Sequence, residues 1–386
     1  MVYFDNAATS GVKPKEVIEA VGRSLREFSV NPGRGGYEAS VKCSEQIYNC
    51  RQKVSQFFGA NAPERVIFTP NCTTALNTVI KGIVRPNDHV VISSLEHNAV
   101  ARPLYEMAKL GVKLDVAEVI FGDIEATARS FERLIRQDTR LVVCTHASNV
   151  TGTVLPIEKI GEICSKLRVP FAVDAAQTGG ILPIDMKKQR IDYLCLAPHK
   201  GLYAPMGIGV LIALGEIPKT LTEGGTGSMS QSLYQPLDLP ERFESGTVNV
   251  PGIFGLLAGI NFVESKGREK IMEHELKLSR KIYEGLRGIG GCSMYSEYPK
   301  EGRSVPTLTF NLGDIPSAEV AEYLGEHGIA VRAGLHCAPL AHRRLGTSET
   351  GTVRISCSAF NTEREVDYLL NILKKYKDSK KIVKVY

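Results

Sequence analysis

Short apolar runs alternate with longer amphipathic stretches along the first two-thirds of the chain. The apolar runs are rich in β-branched residues and predict strands at residues 65–68, 89–92, 116–119, 141–144, 170–173 and 193–196. The stretches between them carry apolar residues at helical spacing and predict helices at residues 74–82, 101–110, 124–137 and 157–167. This alternation is typical of βαβ units. We therefore expect an α/β fold in which helices cover both faces of a mainly parallel sheet.

The pattern changes after about Pro251. A long helical stretch over residues 255–286 precedes predicted strands at 307–310 and 353–356 and predicted helices at 318–327 and 363–377. These elements no longer alternate strand by strand, which indicates an α+β unit. We therefore expect a large domain over residues 15–255 and a smaller domain that combines residues 1–14 with residues 256–386.

Composition and charge narrow the class of protein. Hydrophobic residues make up 43% of the chain and charged residues 23%, which excludes disordered and fibrous proteins. The formal net charge is +5, and the six lysines between Lys374 and Lys384, set against Asp378, account for all of it. The rest of the chain is close to neutral, so no nucleic-acid partner is expected.

The cysteines and the apolar segments indicate the compartment. The nine cysteines include no CxxC pair, so neither a compact disulfide framework nor a zinc ribbon is expected, and no metal site is predicted. The first residues contain Asp5 and no basic segment, unlike a secretory signal. The longest uncharged run, 245–263, contains Asn249, Pro251 and several glycines and is too polar for a membrane helix. We expect a cytoplasmic protein with no membrane partner.

The common nucleotide-binding loops are missing from the sequence. The segment 33–36 begins a GxGxxG pattern, but Tyr37 and Glu38 follow it and the third glycine is absent. The dipeptide Gly-Lys of a Walker A loop does not occur anywhere in the chain. A Rossmann oxidoreductase and a P-loop NTPase therefore fit poorly.

A different phosphate site is predicted at residues 68–74, between a predicted strand and a predicted helix. Cys72 and Thr73 stand where the backbone N–H groups of a helix N-terminus are free to bind a phosphate monoester. The alternative is an ordinary threonine cap of the helix, and the residue pattern alone leaves both interpretations open.

An acid and a lysine follow two neighbouring predicted strands. Asp174 comes directly after the strand at 170–173, and Lys200 comes shortly after the strand at 193–196. The carboxyl ends of parallel strands meet at one edge of a sheet, so both side chains are expected at one cavity. A phosphate cradle, a lysine and an acid are the anchors that pyridoxal phosphate requires, and His97 after the strand at 89–92 is placed to stack on its ring. A helix cap, a surface charge and a satisfied loop histidine are the alternatives for Asp174, Lys200 and His97.

Several motifs resemble a known family. Segments 3–9 (YFDNAAT), 96–98 (EHN), 174–177 (DAAQ) and 199–200 (HK) resemble the class V aminotransferases, which have the fold-type-I architecture of pyridoxal phosphate enzymes. Segments 242–247 (RFESGT) and 332–338 (RAGLHCA) resemble the cysteine desulfurase and selenocysteine lyase branch. The resemblance runs from residue 3 to residue 363, nearly the whole chain. It implies a mainly parallel seven-stranded sheet in the large domain, a smaller α+β C-terminal domain and a homodimer.

The resemblance also implies roles for individual residues. Lys200 would bind pyridoxal phosphate covalently, Asp174 would pair with the pyridine nitrogen, and His97 would stack on the ring. The other implied cofactor contacts are Gln177 at the phenolic oxygen, Cys72, Thr73 and His199 at the phosphate, and Thr247 at the phosphate of the partner subunit. Asn149 and Arg354 would bind the substrate, with Arg354 on its α-carboxylate. A structural salt bridge is the alternative for Arg354.

Cys337 separates a sulfur-transfer enzyme from an aminotransferase. Its thiolate would attack the sulfur of L-cysteine, release L-alanine and retain a persulfide for iron–sulfur cluster or thio-cofactor assembly, with a sulfur-acceptor protein as partner. Arg332, His336 and Arg354 are candidates for stabilising this thiolate. A small buried apolar cysteine is the alternative.

The motif around Cys337 also departs from the family pattern. The chain runs from Ala338 straight into Pro339, where the second group of desulfurases usually has an intervening glutamine. The preference for cysteine over selenocysteine therefore stays open. The alternative functions are a selenocysteine lyase or another C–S lyase of this fold and, in a different class, a non-catalytic scaffold of a sulfur-assembly complex.

Overall fold

A computed structural model of the chain describes residues 1–33 and 35–383, so Arg34 of the glycine-rich segment and Lys384 of the basic segment lie outside the described residues. The strands are β1 (Val2–Tyr3), β2 (Val66–Thr69), β3 (His89–Ser93), β4 (Lys113–Ala117), β5 (Thr139–Thr145), β6 (Phe171–Asp174), β7 (Tyr193–Leu196), β8 (Gly209–Ala213), β9 (Cys292–Met294), β10 (Thr307–Leu312), β11 (Ile329–Ala330), β12 (Arg332–Gly334) and β13 (Thr352–Ser356). The helices are α1 (Lys15–Glu27), α2 (Glu38–Phe57), α3 (Cys72–Ile83), α4 (Asn98–Ala108), α5 (Ile124–Leu134), α6 (Ile157–Leu167), α7 (Val250–Lys266), α8 (Arg268–Arg287), α9 (Ser317–Glu326), α10 (Pro339–Leu345) and α11 (Glu363–Val383).

The large sheet is mainly parallel, as expected. In the described part of the chain it has seven strands in the order β2-β8-β7-β6-β5-β3-β4. Strands β3 to β7 pair in parallel, while β8 runs antiparallel to both of its neighbours. Because the parallel strands point the same way, the segments after β3, β5, β6 and β7 all leave from one edge of the sheet.

Both faces of this sheet are covered by helices. Successive residues of a strand point to opposite faces, and the buried side chains of β6 divide accordingly. Val173 packs in one apolar cluster with Ile253 of α7, whereas Ala172 packs in the other with Leu104 of α4. The apolar runs of the sequence are therefore the strands of a sheet that is buried on both sides, as the unbroken hydrophobic pattern predicts.

The C-terminal part forms a second, antiparallel sheet in the order β12-β13-β10-β9. Strand β1 pairs in parallel with β11, and Phe4 is buried with Phe310 and Val353 in the core of this part. The N-terminal segment thus packs with the C-terminal elements. The division into residues 15–255 and residues 1–14 with 256–386 stays a prediction, since α7 continues past residue 255 with its buried side chains still packed in the cluster beneath the large sheet.

The predicted helical stretch over residues 255–286 is divided into two helices. Helix α7 ends at Lys266 and α8 begins at Arg268, because Gly267 adopts a φ of +83°, which interrupts the helical path. The strand predicted at 116–119 lies earlier, as β4, and the buried antiparallel strand β8 was not predicted. Helix α7 is apolar over most of its length, but no described helix is both long and apolar enough to cross a membrane.

Candidate active site

A cavity of about 230 Å³ opens where the carboxyl ends of the parallel strands meet the C-terminal part. Ten predicted site residues line it: Cys72, Thr73, His97, Asn149, Asp174, Gln177, His199, Lys200, Cys337 and Arg354. The first eight come from the carboxyl end of a strand of the large sheet or from the segment that follows one, and the last two come from the C-terminal part. The fold therefore assembles in one place residues that are up to 282 positions apart in the sequence (354 − 72).

Asp174 is the last residue of β6, and its carboxylate is held on one side only. Its Oδ1 accepts hydrogen bonds from the N–H of Ala176 at 2.9 Å and from the thiol of Cys72 at 3.7 Å. Its Oδ2 has no hydrogen-bond partner among the described residues. Burial raises the pKa of Asp174, while the bond from Ala176 and the charge of Lys200 oppose that shift. One carboxylate oxygen is thus left for a group in the cavity.

The side chain of Cys72 takes part in the site, which the sequence did not predict. Burial is the main cause that raises the pKa of its thiol well above the usual value, and the neighbouring Asp174 carboxylate raises it further. The thiol therefore keeps its proton at neutral pH and donates it towards Asp174. Cys72 was expected to contribute backbone to a phosphate cradle, and it also orients the acid.

Lys200 follows β7 and is half-buried in the cavity. Its Nζ has no ion-pair or hydrogen-bond partner among the described residues. Burial lowers the pKa of the ammonium group, and the nearby Asp174 carboxylate opposes that shift. A lysine with a lowered pKa and a free Nζ is suited to covalent bonding with an aldehyde and to proton transfer.

The N-terminus of α3 borders the cavity and is capped by Asn71. The Asn71 side chain accepts the backbone N–H of Thr74 at 2.9 Å, so the helix cap is asparagine and not a threonine as in the alternative interpretation. Thr73 is exposed to the cavity. Across the cavity, Nδ1 of His199 bonds to Thr9 Oγ1 at 3.0 Å, and burial, with Lys200 close by, lowers the pKa of His199 to about 4. A helix N-terminus and a neutral histidine are therefore available to an anion.

His97 caps helix α4 with its ring. Its Nδ1 accepts the backbone N–H of Ala99 at 3.0 Å, so a proton on the neutral ring must lie on Nε2. Burial is the main cause that lowers the pKa of His97 to about 4, and the charge of Lys200 contributes. The ring is uncharged at neutral pH and has one fixed tautomer, which suits a flat contact with an aromatic ligand.

Arg354 lies on β13 with 2% of its side chain exposed. Its Nη2 forms an ion pair with Asp5 at 2.6 Å, and its Nη1 donates to the carbonyl oxygen of Asn149 at 3.0 Å. Its Nε is buried without a partner among the described residues. The structural salt bridge that was the alternative for Arg354 does form. The same guanidinium group also lines the cavity, and its Nε and part of its Nη hydrogens are not used in these contacts. The sequence predicted no site role for Asp5, although Asp5 lies within the segment 3–9 that resembles the family.

Two amide side chains, those of Gln177 and Asn149, also line the cavity. Gln177 donates from Nε2 to the carbonyl oxygen of Ala7 at 3.1 Å. Asn149 donates from Nδ2 to the carbonyl oxygen of His336 at 2.7 Å, which ties the loop after β5 to the segment that carries Cys337. Both amides keep further donors or acceptors for a ligand.

Cys337 is the exposed thiol among the nine free cysteines, of which Cys72 and Cys292 are half-buried and the other six are buried. The small buried cysteine of the alternative interpretation is therefore excluded. Cys337 and His336 have φ values of +57° and +48°, a left-handed backbone that is rare outside glycine. The nucleophile candidate thus sits on a sharply turned loop that projects it from the surface.

His336 cannot supply positive charge to this thiol. It is buried, and its Nε2 bonds to the carbonyl oxygen of Thr352 at 3.1 Å. Burial and the charge of Arg354 lower the pKa of His336 to about 2, so the ring is neutral. Arg332, directly opposite Arg354 in the pairing of β12 with β13, also lines the cavity. Arg332 and Arg354 remain as the cationic groups near Cys337.

Thr247, the remaining predicted site residue, does not line this cavity. It is exposed and lines a separate groove of about 810 Å³ together with Thr74 and Glu223. Among the described residues, no group of three or more His, Cys, Asp or Glu side chains is arranged to hold a metal ion.

Comparison with known proteins agrees with this geometry. The family model of aminotransferase class-V matches residues 2–369. A probable cysteine desulfurase of Methanothermobacter thermautotrophicus is 33% identical over 376 residues, covering 95% of this chain and 92% of that protein. The apo structure of a cysteine desulfurase from Thermococcus onnurineus superposes with a TM-score of 0.90 at 33% identity, covering 98% of this chain and 95% of the other. The cysteine desulfurase CsdA of Escherichia coli gives a TM-score of 0.86 at 26% identity, covering 97% and 94%. The chain therefore belongs to the class-V aminotransferase family of pyridoxal phosphate enzymes, in its cysteine desulfurase group.

Proposed function

We propose that this enzyme converts L-cysteine to L-alanine and keeps the sulfur as a persulfide on Cys337. The observation that carries the proposal is the single cavity that joins Lys200, Asp174 and Arg354 to an exposed thiol. An aminotransferase has no use for that thiol, and a desulfurase requires it. The same combination argues against a scaffold that only binds partners.

The residues present fit pyridoxal phosphate. The free Oδ2 of Asp174 suits the pyridine nitrogen, Lys200 suits the aldehyde carbon, and the N-terminus of α3 with Thr73 and His199 suits the phosphate. Cys72, beyond its thiol bond to Asp174, would offer backbone to that phosphate, His97 would lie on the ring face, and Gln177 would contact the phenolic oxygen. When bound, the cofactor withdraws electrons from the α-carbon of an amino acid.

The protein's own groups would then position the substrate and move its protons. Arg354 would bind the α-carboxylate of L-cysteine, since its Nε and part of its Nη donors are unused and Asp5 fixes the plane of the guanidinium. Asn149 would add an amide contact. Lys200 would take the α-proton, because its lowered pKa makes the neutral amine accessible.

The Cys337 thiolate would attack the sulfur atom of the substrate. A new S–S bond forms as the Cβ–S bond of the substrate breaks, and the electron pair of that bond stays on Cβ. A proton added to Cβ and the return of the α-proton from Lys200 to Cα complete L-alanine, and the sulfur remains on Cys337 as a persulfide.

The quaternary state and the cellular role are part of the same proposal. We expect a homodimer in which the exposed Thr247 reaches the phosphate site of the partner subunit, because Thr247 does not line the cavity of its own chain. The persulfide would serve iron–sulfur cluster or thio-cofactor assembly through an acceptor protein. All nine cysteines are free thiols, which supports a reducing, cytoplasmic location.

The test follows L-cysteine turnover in Cys337→Ala. This variant should keep the visible absorbance of bound pyridoxal phosphate and lose sulfide release and the persulfide mass on the protein. Cys292→Ala, a change in a half-buried thiol of β9, is the control and should behave as the parent enzyme. Unchanged turnover in Cys337→Ala would overturn the role of Cys337. Comparing rates on cysteine and selenocysteine separates a desulfurase from a selenocysteine lyase.

A further inference from the structure

A small second cavity adjoins the active-site cavity at Lys200. It has a volume of about 30 Å³, and its lining shares Ala7, Gln177 and Lys200 with the larger cavity. Tyr203 and Glu275 belong to its lining as well. Every described residue of this lining is buried or half-buried, so bulk water has poor access to it. We call this space the rear cavity.

Glu275 is the acid of the rear cavity, and one of its carboxyl oxygens is unpartnered. The residue lies on α8 and is 2% exposed. Its Oε1 accepts a hydrogen bond from the hydroxyl of Tyr203 at 3.4 Å, and that hydroxyl accepts the backbone N–H of Ala359 at 3.3 Å. Its Oε2 is buried and has no hydrogen-bond partner in the described part of the chain. Such an oxygen is costly to bury unless a further group bonds to it.

Water is the ligand that suits the rear cavity. The volume is sufficient for about one or two water molecules, and Glu275, Lys200 and Gln177 offer the polar groups that a buried water needs. In the described lining, Lys200 and Glu275 are the only residues of the types Lys, Arg, Asp and Glu. The other titratable side chains that face the space are the hydroxyl of Tyr203 and the thiol of Cys357. Water across the rear cavity would therefore join one acid to one base.

We propose that Glu275 and water in the rear cavity form a proton store for Lys200. This inference rests on the proposed function, in which Lys200 takes the α-proton of L-cysteine. The positive charges of Arg332 and Arg354 disfavour the ammonium group that results. Its proton would pass to a water molecule while that water gives one of its own protons to the ionised Oε2 of Glu275. The amine and the carboxyl are then both neutral, and the reverse transfer returns a proton to Nζ.

Glu275 is able to accept a proton as well as to donate one. Burial raises the pKa of its carboxyl to about 8, while the hydrogen bonds from Tyr203 and Ala359 oppose that shift. Near that pH the acid and the carboxylate are present in comparable amounts. The hydrogen atoms of the store therefore dilute the one that came from the substrate. The proton that Lys200 returns to Cα is then seldom the proton that it removed.

The test uses the holoenzyme and L-cysteine that carries deuterium at Cα, in ordinary water at about pH 8. The measured quantity is the fraction of deuterium that remains at Cα of the L-alanine formed, determined by mass spectrometry. Glu275→Gln keeps the size of the protonated carboxyl and its neutral charge, but it cannot ionise. Glu273→Gln, a change of an exposed residue on the same helix, is the matched control.

The parent enzyme should retain little deuterium, and Glu275→Gln should retain several-fold more. The upper value is about one third, because an isolated ammonium group returns one of its three hydrogens. Glu273→Gln should match the parent. Equal retention in the parent and in Glu275→Gln would overturn the proton store, since a purely structural role changes the rate of turnover and not the retained fraction. A parent enzyme that forms no alanine would instead overturn the proposed function.

A crystal structure of the parent enzyme gives a second measurement that does not depend on turnover. It should show ordered water in the rear cavity within about 3.2 Å of Oε2 of Glu275. A dry rear cavity would overturn the proposal even if Glu275→Gln does not fold.

Discussion

The backbone N–H of Asn98 donates a 2.7 Å hydrogen bond to the carbonyl oxygen of Cys337. Asn98 is the first residue of α4 and follows His97, whose ring lines the cavity. The bond therefore fixes the exposed thiol loop to the helix start that also orients the histidine. Together with the bond from Asn149 to the carbonyl oxygen of His336, it holds the left-handed backbone of this loop in place.

Asn98→Pro removes this donor without breaking the helix. Proline is well tolerated at the first position of a helix, and His97, with φ −72° and ψ 158°, already has the conformation that a following proline requires. The variant loses this bond, and its Cδ also clashes with the Cys337 carbonyl oxygen, which lies 2.7 Å from the Asn98 nitrogen. Since the bond alone is worth about 1 kcal/mol, persulfide formation should slow at least about fivefold in single-turnover assays. Asn98→Ala, which keeps the N–H, is the control and should be close to the parent. Equal rates for the two variants would show that the bond does not position Cys337.

Cys72 and Asp174 form a second pair that can be tested. Cys72→Ala removes the thiol donor from Oδ1 of Asp174, whereas Cys72→Ser replaces it with a hydroxyl donor. We expect the alanine variant to bind pyridoxal phosphate several-fold more weakly, because its Asp174 carboxylate is less well oriented and its charge less stabilised. The serine variant should retain most of the affinity. Equilibrium dialysis with visible absorbance measures the affinity, and an unchanged value in Cys72→Ala would contradict the role of this thiol.

The sequence was sufficient to predict most parallel strands of the large sheet and the edge at which the candidate residues gather, because both depend on local patterns. Buried parallel strands appear as apolar runs, and Asp174 comes directly after one such run and Lys200 shortly after the next. The contacts that complete the site could not be predicted in the same way. Asp5 pairs with Arg354, which is 349 positions away, and only the packing of the N-terminal segment against β13 brings the two together.

Local conformation also limited the prediction at two points. The break between α7 and α8 depends on one positive φ at Gly267, and a glycine inside a helical pattern is compatible with either outcome. The neutral state of His336 depends on its burial beside Thr352, which residue spacing does not reveal. The assignment of Cys72 to backbone alone was incomplete for a similar reason, since Cys72 begins α3 and its neighbour Asp174 ends β6, 102 positions away.

Arg354 combines a structural ion pair with the proposed carboxylate site, and two variants separate these roles. Arg354→Lys cannot make a planar two-point contact, so KM for L-cysteine should rise at least about tenfold, with a parallel rise in the inhibition constant of L-alanine. Asp5→Asn leaves the guanidinium in place without its charged partner. It should lower the free energy of unfolding by about 1–3 kcal/mol and change KM much less. A stability loss in both variants with no change in KM would leave Arg354 with the structural role alone.

Glu275, a buried residue of α8, makes the stability of the enzyme depend on pH. Burial raises the pKa of its carboxyl to about 8, while the hydroxyl of Tyr203, at 3.4 Å, and the backbone N–H of Ala359 oppose that shift, and the thiol of Cys357 is also close to it. The carboxyl is protonated in the folded state at neutral pH and ionised in the unfolded chain above its usual pKa of 4.5. The folded state then binds more protons, so the stabilising effect of the proton is lost as pH rises towards 8.

Between pH 6.5 and pH 8, the comparison of parent and variant isolates this effect. The histidines with lowered pKa values, such as His336, are neutral in the folded state and lose their protons in the unfolded chain around the usual value of 6.5, so they change stability in the opposite sense, as does Lys13, whose pKa is lowered to about 8. Parent and variant share these groups. Glu96 has a pKa raised to about 8 by burial and contributes in the same sense as Glu275. Glu275→Gln should therefore raise the slope of the unfolding free energy against pH by up to about 1.4 kcal/mol per pH unit. Urea unfolding at several pH values measures this slope, and Glu273→Gln, an exposed change on the same helix, should leave it unaltered. A slope in Glu275→Gln equal to that of the parent would show that Glu275 is ionised in the folded enzyme.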